Sequence, residues 1–199
     1  MDPFSVATGA VKAVTLTQKI AKLIPSSKQK IAEAWQEQIE DVALEANAAV
    51  QRLTENLGDE AIAQIEARLH TRAVQAFVRV LFDAAIHSVT RERMVMLCAA
   101  LASGAVLDEA AEMKSRVARA VTMLEPSDVV LLRKLVAEHG SLETALQFNL
   151  DGAAALTQAG CLIYSPPSNQ MGFPTTGLSL VTEVGRALLR FVETWNSVA

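Results

Sequence analysis

The sequence predicts a mainly α protein: an N-terminal antiparallel helical bundle followed by a smaller C-terminal domain carrying a two-stranded β-hairpin. Three observations lead there. The hydrophobic fraction is 51%, rich in alanine, with 5% aromatic residues and 9 glycines among 199, a balance that favours helix over sheet. Apolar residues recur at spacings of three and four along most of the chain up to Val136. From Leu156 to Val192 that pattern changes to helix end, strand, loop, strand and helix start. A chain of this length can bury a substantial core. Breaks near Pro25 and at Leu124-Glu125-Pro126 divide it into an amphipathic N-terminal helix (1–25), a helical bundle (26–124) and a C-terminal domain (125–199).

The first helix runs from Phe4 to Ile24. Thr8, Lys12, Thr15, Lys19 and Lys22 fall on one stripe, opposite Phe4, Val11, Val14, Ile20 and Ile24. The lysines interrupt the run of about 20 apolar residues that a spanning helix needs, and they lie inside and after the apolar core, unlike a secretory signal. Two readings stand for this helix. Its wide face packs on the bundle, or it uses Lys12, Lys19 and Lys22 to lie on anionic lipid or dock on a partner. Residues 1–25 carry a net +2 in a chain of net −4. The opening MDPFSVATGAVKAVTLTQKI resembles the start of fungal cell-death domains of the HeLo type.

Ser26 or Ser27 caps a second helix, long and amphipathic through Ile31, Trp35, Ile39, Val42, Ala46, Ala49, Leu53 and Leu57. Glu33, Glu37, Glu40, Asp41 and Glu45 form its solvated face. Gly58-Asp59 stops it and starts a third helix expected to continue through Ile62, Leu69, Phe77 and Ala84, with its second half at the centre of the bundle. Ser88 or Thr90 starts a fourth, ended by Ser103-Gly104, and Asp108 caps a fifth that reaches Leu124. Such short turns predict antiparallel neighbours.

Pro126 opens the next helix, which ends near His139-Gly140. Ser141 caps a short helix over Leu142–Phe148, and Asn149 or Asp151 opens DGAAALTQAG, stopped by Gly160. Cys161–Tyr164 and the stretch around Leu178 and Leu180 are the strands, separated by a loop with Pro166, Pro167, Gly172 and Pro174. Thr182 caps a last helix through Val184, Leu188, Phe191 and Trp195.

This element order, with Leu156, Gly160, Leu162, Ile163, Leu180, Thr182, Gly185 and Leu189, resembles a winged-helix domain. A helix-rich front and a back end closing in a strand pair and the Thr182-Glu183-Val184-Gly185 helix start resemble bacterial abortive-infection proteins of the alpha type. That resemblance implies an association with phage defence. A winged helix implies DNA binding, which needs lysine and arginine to neutralise phosphates. Residues 126–199 oppose Arg133, Lys134, Arg186 and Arg190 to Asp128, Glu138, Glu143, Asp151, Glu183 and Glu193, a net −2. The would-be recognition helix and the wing hold no basic residue. Gln158 could read a base edge, and Asn169 or Gln170 could touch a minor groove.

No HExxH, CxxC, GxSxG, phosphate loop or dinucleotide fingerprint occurs. The pairs Glu66/His70 and Asp83/His87 have the spacing of helix-face ion pairs, and Arg91 and Arg93 suit a solvated helix start. The sequence therefore predicts no enzyme, no cofactor and no metal. Cys98 and Cys161 sit among apolar neighbours, as buried reduced thiols of a cytoplasmic protein do. The expected function is a non-enzymatic adaptor or regulatory subunit that binds a protein partner, or itself, through the uncharged wing residues Pro167, Met171 and Phe173. The alternatives are a DNA-binding transcriptional regulator and a membrane-associated effector using residues 4–24.

Overall fold

The computed structural model describes residues 36–139, 146–148, 153–165, 169–170, 173–174 and 177–198. The protein is mainly helical, with one small antiparallel sheet and a two-residue strand pairing. The helices are α1 (Gln36–Thr54), α2 (Asp59–Leu69), α3 (Arg72–Ile86), α4 (Arg91–Val106), α5 (Ala111–Met123), α6 (Pro126–His139), α7 (Ala154–Gln158) and α8 (Glu183–Phe191), followed by a 3-10 turn (Glu193–Val198). The strands are β1 (Leu146–Phe148), β2 (Leu162–Ser165), β3 (Asn169–Gln170), β4 (Phe173–Pro174) and β5 (Gly177–Val181).

Helix α4 is the axis of the fold. Met94 and every residue from Met96 to Ala105 are buried, so no side of the segment from Met96 to Ala105 faces water. Small residues make this possible. Ala99, Ala100, Ala102, Ser103, Gly104 and Ala105 keep the cylinder narrow, and α1, α3, α5, α8 and the 3-10 turn pack around it. This corrects the expectation that the second half of the third helix lies at the centre. That segment, α3, buries Val74, Phe77, Val78, Leu81, Phe82, Ala85 and Ile86 but leaves Val80 48% exposed. Gly104 does not end α4 either. It lies inside the helix, where the Phe77 ring rests against its Cα.

The expected third helix is two. The chain turns at His70, and Thr71 restarts it: its Oγ1 accepts from Val74 N at 3.4 Å and donates to Arg68 O at 2.7 Å. Thr90 caps α4 by accepting from Arg93 N at 3.3 Å. Asp108 does not cap α5. Ala110 holds that position without a side-chain bond, and Asp108 pairs with Arg68 at 3.3 Å. Before α6, Asp128 Oδ2 accepts from Glu125 N at 2.9 Å, with Pro126 as the first helical residue.

The strands add one element that sequence periodicity assigned to a helix. Leu146–Phe148 is a strand, paired antiparallel with β5 from Leu146↔Ser179 to Phe148↔Gly177. The hairpin β2/β5 (Leu162↔Val181 to Ser165↔Leu178) is therefore part of a three-stranded sheet of order β1-β5-β2 rather than a sheet of two strands. Backbone pairing on an otherwise open edge of β5 outweighs the weak helical preference of so short a stretch. Gly160, at φ 73°, ends α7 as expected: Cys161 N reaches back to Leu156 O at 2.9 Å and Gly160 N to Thr157 O at 3.0 Å. Thr182 then caps α8, accepting from Gly185 N at 3.1 Å and donating to Gly160 O at 2.6 Å.

One hydrophobic core runs from α1 to the 3-10 turn, and Phe77 and Phe191 meet edge to face across it at 5.6 Å. Both cysteines are free and lie within this core, Cys98 with its Sγ 3.6 Å from the Val42 carbonyl. Burial pushes each thiol up to about 12, with Glu45 adding to the effect at Cys98. The native state thus holds these protons where an unfolded chain, with thiols near 9.0, gives them up. The stability that the neutral thiols contribute is full below about pH 9 and is lost as pH rises towards 12. Neither thiol should react with an aromatic disulfide reagent at pH 8 until denaturant is added, when both should; fast labelling of the native protein would show that one is open to solvent.

Among the described residues no helix is long and apolar enough to cross a membrane.

Candidate interaction groove between α3 and α5

Helices α3 and α5 pack on each other and on α4. Between them lies a groove of about 730 Å³ lined by Arg72, Ala73, Ala76, Phe77, Val80, Ala111, Ser115, Ala118, Arg119 and Thr122. Its floor is apolar and made of short side chains, apart from Phe77. On α3, Ala73, Ala76 and Val80 follow one another at spacings of three and four. On α5, Ala111, Ser115, Ala118 and Thr122 do the same at four, three and four. These two stripes adjoin the buried faces of their helices, and Ala118 belongs to both. Their small residues leave room for a further side chain or helix to approach.

Two cations mark the ends. Arg72 is the first residue of α3 and Arg119 lies in the last half of α5, both exposed. Neither forms an ion pair or side-chain hydrogen bond among the described residues, whereas neighbouring Arg116 is tied to Glu112 at 2.5 Å. In a chain of net −4, this groove is a locally basic, apolar surface.

Side chains behind the groove tie α5 and α2 to the end of α4. Lys114, on the buried side of α5, is 3% exposed. Its Nζ donates to Gly104 O at 2.6 Å and Leu107 O at 2.9 Å, satisfying carbonyls at the C-terminal end of α4. Burial lowers its pKa, as does Arg68 nearby, while Asp108 and Glu109 work the other way. Arg68 donates to Val106 O at 2.7 Å, so that helix end is closed by two cations.

None of the expected site residues that the structure describes lines this groove. Lys12, Lys19 and Lys22 fall outside the described residues, as do Pro167 and Met171. Phe173 is in β4, opposite Gln170 of β3, and Asn169 faces Pro174 in the same short ladder. Gln158 ends α7 and is exposed. The ladder thus joins Asn169, Gln170 and Phe173, while Gln158 sits on a separate element. The basic residues of the C-terminal third are engaged. Arg133 donates to Val192 O at 2.7 Å and lies over the Trp195 ring at 5.0 Å. Arg190 pairs with Glu109 at 2.5 Å, and Lys134 and Arg186 also have partners.

The other candidates from sequence are helix-end contacts. His70 and His87 take the C-cap positions of α2 and α3, with His87 Nδ1 2.7 Å from the Asp83 carbonyl. Arg91 pairs with Glu45 at 3.4 Å, and Arg93 joins Glu125 and donates to Thr122 O at 2.8 Å. Among the described residues no group of three or more His, Cys, Asp or Glu is placed to hold a metal ion.

Sequence reasoning missed the groove because its floor is alanine, which any helix surface tolerates. The usable signal was a second small-residue stripe on each helix, offset from the buried one. Comparison of the chain with family models, with curated proteins and with solved structures finds no match in any of the three.

Proposed function

We propose that the protein is a non-enzymatic adaptor or regulatory subunit that docks a protein partner in the groove between α3 and α5. The observation that carries this reading is the apolar floor, where Ala76 and Val80 lie exposed above Phe77 and Ala118, with Arg72 and Arg119, which have no ion-pair partner among the described residues, at its rim. Apolar surface that a monomer leaves open, bordered by arginine, is the composition of a protein contact. It would accept an amphipathic helix whose apolar side chains enter the groove and whose acidic flank meets the arginines. The C-terminal residues fit a winged-helix domain used for protein contact. The sheet β1-β5-β2 behind α7 supports that assignment, and the engaged arginines leave little to grip phosphates. The abortive-infection resemblance would put such an adaptor in phage defence.

The test is retention from an extract of the natural host on the immobilised full chain, compared with Ala76→Glu/Val80→Glu. Both positions are exposed, so the variant should fold. A carboxylate pair on the floor would be desolvated by any ligand seated there, and the retained partner should fall by about tenfold or more. Equal retention by both forms overturns the groove as the docking surface. Retardation of a random-sequence DNA duplex at low salt would instead favour a nucleic-acid role.

A further inference from the structure

Helix α1 carries the complement of the groove. Its outward stripe is Glu37, Asp41, Leu44 and Ala48, at spacings of four, three and four, with Glu40 beside it. Leu44 is 69% exposed on a helix whose other face buries Val42, Ala46, Ala49 and Val50. Val89, 97% exposed at the start of the turn into α4, stands next to it, and both border a shallow depression rimmed by Glu37, Asp41 and Glu45. Glu45 is held by Arg91, but Glu37 and Asp41 form no ion pair among the described residues. The ridge is thus apolar at its crest and acidic at its flank, and the groove is apolar at its floor and basic at its ends. No residue lines both surfaces, and Leu44 and Val80 are both exposed, so the ridge does not fill the groove of its own chain.

We infer that the occupant of the groove is α1 of a second copy of this chain, with Leu44 seated on Ala76 and Val80 and Glu37 and Asp41 facing Arg72 and Arg119. The proposal rests on the groove being a docking surface and names what fills it. The chain's own N-terminal stripe is the wrong sign for that place, since Lys12, Lys19 and Lys22 would oppose Arg72 and Arg119. The contact joins two different patches. It either closes as a two-fold pair, with each ridge in the other's groove, or repeats head to tail.

The experiment is sedimentation velocity of the full chain across protein concentration and salt, on the wild type, a groove variant (Arg72→Glu/Arg119→Glu) and a ridge variant (Glu37→Lys/Asp41→Lys). Wild type should self-associate, less so at high salt. Each variant alone should associate about tenfold or more weakly, because like charges then face each other. An equimolar mixture of the two should recover association, since every ridge-groove contact between unlike chains again pairs opposite signs. Leu44→Asp gives an independent reading of the ridge should a double reversal fail to fold. A wild type that stays monomeric, variants that associate normally, or a mixture that does not recover each overturns the proposal. A monomeric wild type whose extract partner is still lost with Ala76→Glu/Val80→Glu would leave the docking reading standing and the second copy wrong.

Discussion

Gly104→Ala should lower stability by about 2 kcal/mol, although alanine is the better helix former by about 1 kcal/mol. The steric term decides the sign. A methyl on Gly104 would run into Cε1 and Cζ of the Phe77 ring and stand 2.6 Å from Cδ1, well inside any carbon contact. The ring cannot turn aside freely. It is buried, it meets Phe191 edge to face at 5.6 Å, and Phe191 is itself fully buried on α8. Either α3 moves away from α4 or the ring swings towards the groove, and both disturb a close-packed core. For a chain of this size the melting temperature should fall by roughly 4–8 °C. Phe77→Leu removes Cε1 and Cζ, the two nearest of these atoms, so Gly104→Ala/Phe77→Leu should cost less than the sum of the two single changes. Strict additivity, or a Gly104→Ala variant as stable as wild type, would mean that the ring does not rest on this glycine. The same variant reports on function, because Phe77 also lines the groove: displacing the ring should weaken docking even at temperatures where the protein is folded.

That one glycine also shows how far the sequence could be read. Ser103-Gly104 has the composition of a helix stop, and nothing local distinguishes a stop from a close packing point inside a helix. Distinguishing them takes the partner ring, which comes from a residue 27 positions earlier. Features set by neighbours in sequence were legible. The caps Thr90 and Thr182, the left-handed Gly160, Pro126 at a helix start, and the β2/β5 strands follow from side chains within a few residues of the backbone they control. Features set by distant pairing were not. The strand Leu146–Phe148 exists because β5 offers it an edge, and α4 rather than α3 became the axis because the elements packed around it need a narrow helix between them. The groove belongs to the second kind. Its arginines look like any solvated helix residues until the packing of α3 on α5 places them around an apolar floor.

Gly185→Ala tests the other end of the fold and should cost about 2–3 kcal/mol, at the upper end for overpacking, because the obstacle is backbone. A Cβ there would lie 2.5 Å from the Cys161 carbonyl oxygen and 3.1 Å from Val181 Cγ1. The carbonyl cannot retreat without loss. It accepts from Thr182 N at 3.1 Å, the bond that continues the β2/β5 pairing into the first turn of α8. Thr182 in turn ties that turn to Gly160 O at 2.6 Å and caps Gly185 N at 3.1 Å. Pushing α8 outward to admit the methyl therefore strains the cap, the strand pairing and the seat of Leu188 and Phe191 in the core together. The helix-propensity gain is small this close to the N-terminus, so little offsets the clash. Thermal unfolding should shift by about 4–12 °C, and hydrogen exchange at the amides of Thr182 and Gly185 should speed up more than at those of α4. Unchanged stability would mean that α8 does not pack this closely on Cys161. A loss of stability with unchanged exchange at Thr182 and Gly185 would place the damage elsewhere. Because Phe191 carries the strain to Phe77, Gly185→Ala and Gly104→Ala load the same aromatic pair from opposite sides, and their combined cost should differ from the sum of the two.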